Sequence, residues 1–160
     1  EYDLKTGKHN ELLKDLKVGY HVWYNDHIIV STVLVENRMD LVVFNLKDKS
    51  NYTFQRNVGR SLHKIPDSDL ISYVSKENGT PIIKSLHPIS GATEEIVTLL
   101  DKSEDVCWTT DGTLISAYDQ VLLAFNPSKD EKWRPVHRFG EKEINKISRL
   151  AKNTDINIED

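Results

Sequence analysis

The residues best equipped for chemistry in this 160-residue chain are its six histidines, its single cysteine and its carboxylates. Their spacing excludes most uses. Histidines 9, 21, 27, 63, 87 and 137 form neither a His-x-x-x-His nor a His-Glu-x-x-His pattern, so no metal site is encoded locally. Cys107 is alone, which excludes an internal disulfide and a multi-cysteine metal centre. A buried thiol there would be an inert small hydrophobe, and only an electropositive neighbourhood would make it a nucleophile. Gly-x-Ser-x-Gly is absent, as are Gly-x-Gly-x-x-Gly and a Gly-Lys-Ser/Thr loop, so neither a serine nucleophile nor a phosphate cradle is written in the chain. What remains is a dispersed polar set, Arg38, Arg60, Glu77, Asp105, Asp119 and Asn145, to which His63 is added below. A repetitive scaffold would return residues so far apart to the same place.

Such a scaffold is visible. Tyr2-Asp3-Leu4-Lys5-Thr6-Gly7, Phe44-Asn45-Leu46-Lys47-Asp48-Lys49, Leu86-His87-Pro88-Ile89-Ser90-Gly91 and Phe125-Asn126-Pro127-Ser128-Lys129-Asp130 begin 42, 42 and 39 residues apart. Each is an apolar strand end running into a polar turn, and a period of about 40 residues with strand-and-turn patterning marks a blade-built array. A second motif alternates with the first. Trp23 to Ser31, Pro66 to Tyr73 and Thr110 to Ala117 each place an Asx-rich tight turn before a β-branched run, and Asn153 to Ile158 begins a fourth copy. Asp and Asn bond their own backbone in turns, while Ile, Val and Thr suit the pleated strand that follows.

Taken in order, these elements predict strands near Tyr20–Trp23, Ile28–Leu34, Leu41–Leu46 and Tyr52–Asn57, with a polar loop at Glu36–Asp40. That is a four-stranded antiparallel meander. The expected fold is therefore an all-β propeller of about four blade equivalents: a half-blade at 1–18, whole blades at 19–60, 61–103 and 104–143, and a half-blade at 144–160. Residues 1–16 read as third and fourth strands, and residues from Ile144 onward as a first strand and the start of a second. Glu94–Leu100, the sole helix-like stretch, reads as an outer strand. Pro66, Pro81, Pro88, Pro127 and Pro135 fall at turn or edge positions, where a missing N–H costs least.

In such a blade the loops joining second to third strands, and fourth to first, converge on one face. They carry Glu36, Asn37, Arg38 and Arg60, then Lys76, Glu77 and Asp105, then Asp119 and Asn145. This face is the expected binding site for a polar ligand or peptide. His63 lies on an inner strand beside Leu62, where a propeller lines its channel, and Cys107 on the comparable strand beside Trp108. Trp23 and Trp108 read as wedges between blades, and Trp133 as a surface residue.

The totals agree with a globular β-protein. Hydrophobic residues make up 38% and charged residues 29%, the net charge is −4, and the basic residues are scattered, so nucleic acid is not an expected partner. No run approaches the ~18 apolar residues of a membrane helix.

Trp23 and Asp26 with their strand, the Trp108-Thr109-Thr110-Asp111-Gly112 turn with its strand, Pro66-Asp67, and above all Tyr2-Asp3-Leu4-Lys5-Thr6-Gly7 resemble the TolB-like propeller repeat, a relative of WD-repeat blades. In that family a Trp-Ser-Pro-Asp-Gly turn joins the first two strands and Tyr-Asp-Leu-x-Thr-Gly the last two. The resemblance implies a non-catalytic platform for protein or peptide partners, without cofactor, in a periplasmic or extracellular setting. Four blade equivalents are fewer than the six common in the family. That shortfall implies a piece of a larger propeller, closure by terminal strands, or self-association through unpaired blade edges. The alternative reading is part of an enzyme: the gating domain of a prolyl-oligopeptidase-like peptidase, or a lactone- or sugar-processing propeller with Asp105, Asp119 and Asn145 as metal ligands.

Overall fold

The computed structural model describes residues 2–13, 16–100 and 103–152. Among these there is no helix, and eleven strands pair antiparallel in two sheets. The first sheet runs in sequence order through β1 (Val18–Trp23), β2 (Ile28–Val35), β3 (Arg38–Asn45), β4 (Ser50–Lys64), β5 (Ile71–Ser75), β6 (Ile82–Leu86) and β7 (Thr93–Thr98). The second comprises β8 (Val106–Trp108), β9 (Leu114–Tyr118), β10 (Val121–Phe125) and β11 (Arg134–Arg138), again in sequence order. Within each sheet the connections are hairpins or short loops, as expected when turn signals follow one another every few residues.

The repeated sequence is a repeated turn. Asp3, Asn45 and Asn126 each turn a side-chain oxygen onto a backbone N–H two residues on, at Lys5, Lys47 and Ser128. His87, at the same place in its copy, uses Nδ1 to accept from the Ser90 N–H. Four residues further, Gly7, Lys49 and Gly91 take left-handed φ values of 69°, 60° and 73°. The chain reverses there only because that conformation is reached, which glycine does without strain.

Several elements depart from the expected outline. The predicted break between the first two blades is absent, because β4 continues for 15 residues. Its first part pairs with β3, its second with β5, and Val58 faces both Met39 and Ser75. Asn57 accommodates the change of partner with a φ of 55°, and its amide donates to the Lys76 carbonyl at 2.9 Å. Gly59 lets the bent strand lie on β5, since a Cβ there would stand 2.9 Å from that of Val74. Two of the expected four-stranded meanders are thus fused into one curled seven-stranded sheet, in which β4 also touches β1 and β2. The polar loop expected at Glu36–Asp40 shrinks to Glu36 and Asn37, with β3 already running at Arg38.

The ends depart further. In the 1–16 stretch, expected to form two strands, the described residues contribute a single bridge, between Tyr2 and His9. Residues 144–152, expected to begin an inner strand, form none, and the fourth turn copy at 153–158 lies outside the described residues. Thr93–Thr98 is a strand, as the repeat required, and Pro135 stands on β11, at the edge of its sheet.

Burial shows how the layers stack. All five residues of β5 are buried. Ile71 and Tyr73 join Val30, Leu41, Val43, Val58, Leu62 and Leu86 in one cluster, while Val74 joins Ile83, Val106, Trp108, Leu114 and Phe125 in another. A strand buried on both faces loses polar alternation and reads as an apolar run, so the β4–β7 half of the first sheet is sandwiched between β1–β4 and the second sheet. Trp108 is the wedge expected of it, 7% exposed, with its indole N–H donating to Ser72 Oγ at 2.8 Å. Trp23 is not, being 41% exposed; its pairing partner Ile29 packs in a cluster flanked by Leu12 and Leu13. Trp133 is half-buried rather than free, packed on Phe125 and bonded to the Thr98 carbonyl at 2.8 Å.

Candidate functional site

The two sheets meet where β4 passes β8. Ser61 is the joint: its hydroxyl donates to the Glu104 carbonyl at 2.7 Å and accepts from the Val106 N–H at 3.0 Å. This fixes the neighbouring residues on both strands. Arg60 extends its guanidinium to Asp105, with Nε at 2.9 Å and Nη2 at 2.5 Å from Oδ2. On the flank, Lys76 reaches Glu104 at 2.8 Å.

A second arginine arrives from the irregular segment after β11. Ile147 N–H donates to the Asp119 carbonyl at 2.8 Å, and the Gln120 amide donates to the carbonyls of Ile144 at 3.1 Å and Asn145 at 3.3 Å. Held by these bonds across the β9–β10 turn, the segment brings Arg149 Nη1 to 3.3 and 3.4 Å from the two oxygens of Asp105. Arg60 stands 45 residues before Asp105, and Arg149 44 residues after it. Charged side chains from β4, from the residue before β8 and from the segment after β11 therefore meet at a common point.

Two cavities flank Asp105. The larger, about 420 Å³, lies between Gly19–His21 on β1, Arg60–His63 on β4, Asp105–Val106 and Arg149–Leu150. The smaller, about 130 Å³, lies between Asp105, the β9–β10 turn at Tyr118 and Asp119, and Lys146–Leu150. Desolvation in the half-buried wall holds the His63 imidazole below its ordinary pKa, against the opposing pull of the Val106 backbone and the Asp105 charge. His63 is therefore neutral at pH 7. Burial likewise pushes the Cys107 thiol up, with Lys152 opposing it, so Cys107 is the inert small hydrophobe its surroundings require.

Of the residues expected on the site, Arg60, His63 and Asp105 line the larger cavity together, and Arg60 and Asp105 also line the smaller one with Asp119. Asn145 is adjacent, but takes part through its backbone carbonyl. Arg38 and Glu77 line neither cavity. Arg38 instead forks onto Asp40 at 2.9 and 3.2 Å, and Asp40 in turn accepts from the Asn57 N–H at 3.1 Å, bracing the bend of β4. Glu77 stands exposed in the turn between β5 and β6. Arg149, Glu104 and Lys146 were not anticipated. No sequence signal singled out Arg149, whose distance of 44 residues from Asp105 falls outside the 39–42-residue spacing of the turns.

The hydroxyls near the joint are committed to other partners. Ser61 uses its hydroxyl on backbone partners, and Ser103 pairs with Ser116, so neither is set against a histidine. Asp105, Asp119 and Asn145 do not form a ligand set: both Asp105 oxygens face guanidinium groups and Asn145 offers its main chain. Among the described residues no three His, Cys, Asp or Glu side chains are grouped as a metal site.

No protein-family model matches this chain, and a search of curated proteins finds no match to it.

Proposed function

We propose that this chain is a non-catalytic binding module, a propeller-type array of four-stranded meanders similar to TolB-like domains, which holds a polar ligand or a peptide of a protein partner where its inner strands converge. The convergence of Arg60, Asp105 and Arg149, at intervals of 45 and 44 residues, beside a cavity of about 420 Å³ carries this reading. A mouth lined by a few polar groups over apolar walls suits recognition. The recurring turns support the same architecture. Self-association belongs to this reading as well: the exposed Trp23 face of the first sheet is equivalent in sequence to the face through which Trp108 buries itself against the neighbouring meander.

The test is amide chemical-shift mapping on the ¹⁵N-labelled chain against a random peptide panel. Binders are expected to shift residues 19–21, 60–63, 105–106 and 149–150 together. Shifts concentrated instead in the groove between residues 10–13 and 44–51, with none around Asp105, would overturn the assignment of the site.

A further inference from the structure

We infer that the larger cavity takes an organic carboxylate carried on a small apolar body, with Arg149 as its anion contact. This rests on the cavity being the binding site proposed above. Its lining holds two permanent cations, Arg60 and Arg149, and one anion, Asp105. Two histidines, His21 and His63, also line it, and burial holds the His63 pKa down.

The two guanidiniums do not share Asp105 equally. Arg60 meets Oδ2 through two nitrogens, at 2.9 and 2.5 Å, and both groups are largely shielded, with side-chain exposures of 33% and 16%. That pair is short, charge-assisted and closed. Arg149 approaches with one nitrogen only, at 3.3 and 3.4 Å, and its side chain is 57% exposed. A guanidinium carries five N–H donors in a rigid fork suited to carboxylate. Most of the Arg149 donors are therefore uncommitted, and one positive charge is unmatched at the cavity. An incoming monoanion completes the balance and can take Arg149 as a fork.

The walls select what carries the anion. Tyr20, Leu62, Val106 and Leu150 line the same space, and no second acid lines it. A bare inorganic anion would leave this surface wet and unused. An apolar body against Tyr20 and Leu150, which retain exposed surface, adds burial at about 25 cal/mol per Å², so the favoured ligand is a carboxylate with an aromatic or branched aliphatic group one or two bonds away. The carboxyl terminus of a peptide ending in an apolar residue belongs to this class.

The experiment titrates the full chain with phenylacetate, with its neutral isostere phenylacetamide and with inorganic phosphate, following the amides of Tyr20, Leu62 and Leu150 by NMR. Phenylacetate is expected to bind saturably and at least ten-fold more tightly than phenylacetamide. Arg149→Gln should weaken phenylacetate binding ten-fold or more, the loss of a hydrogen bond to a charged group, and leave phenylacetamide unaffected. Arg134→Gln, at an exposed arginine remote from the cavity, serves as the control for charge alone. Equal affinity for acid and amide, or phosphate binding as tightly as phenylacetate, would overturn the carboxylate assignment while leaving the cavity a binding site. An unchanged affinity in Arg149→Gln would do the same to the role of Arg149. If no probe moves these three amides, the inference and the site both fall.

Discussion

Replacing Ser61 by alanine removes one oxygen from the joint between the sheets. The side chain is 7% exposed, so water does not take its place, and the loss of volume is too small to open a cavity. Two bonds disappear: the hydroxyl's donation to Glu104 at 2.7 Å and its acceptance from Val106 at 3.0 Å. Each neutral bond contributes about 1 kcal/mol net, and leaving the Val106 N–H buried without an acceptor adds about 1 kcal/mol or more, which gives a total near 3 kcal/mol. In a chain of this size that corresponds to a fall in Tm of roughly 6–12 °C. Urea unfolding should be followed by tryptophan fluorescence, since Trp108 is buried at the same joint, and by far-UV circular dichroism. Ser128→Ala, at an exposed turn residue, should change stability by less than about 0.5 kcal/mol. A Ser61→Ala loss as small as that of the control would show that the sheets are not held through this hydroxyl. The positioning of Asp105 against Arg60 would then need another cause.

Two further outcomes follow from the same region. Gly59→Ala should cost about 1–3 kcal/mol as an overpacked contact, because the new Cβ falls 2.9 Å from Val74 Cβ, and backbone must shift to relieve it; an unchanged urea midpoint would contradict the close crossing of β4 on β5. His63 has its pKa lowered by burial, so the folded state disfavours its protonated form. Its stabilising contribution is complete above the ordinary histidine pKa near 6.5 and is lost as pH falls from there towards the folded value. Stability measured between pH 7.5 and 5.5 should therefore decline less in His63→Phe than in the parent, and parallel declines would refute the assignment.

The turns were the most legible part of the sequence. Asp3, Asn45 and Asn126 act through bonds spanning two residues, and a local interaction needs only a local pattern. The equivalence of His87 was visible by position, although its chemistry as an Asx mimic emerged only from Nδ1 facing the Ser90 N–H. The continuity of β4 was not legible. Asn57 and Gly59 are ordinary turn residues in sequence, and only the pressure of Val74 and the bond to Lys76 make them the bend of a single strand. Arg38 illustrates the converse error: a charged residue beside a turn was read as available, but Asp40 two residues on had already claimed it. The ends failed for a related reason, since a strand pattern yields a strand only where a partner strand supplies the ladder, and residues 144–152 have none.

By itself the sequence determined the all-β class and the antiparallel hairpins between which its charged residues are scattered, because side-chain period and turn chemistry are properties of a few adjacent residues. Tertiary structure decided which of those charges meet. Arg60, Asp105 and Arg149 come together because β4 and β8 are clipped at Ser61 and the later segment is tied to the turn at Asp119, and such contacts depend on the angle at which one sheet packs on another. It also decided the character of the site, since the same carboxylate is a potential ligand in isolation and, with two guanidiniums on it, the centre of a site with one positive charge to spare.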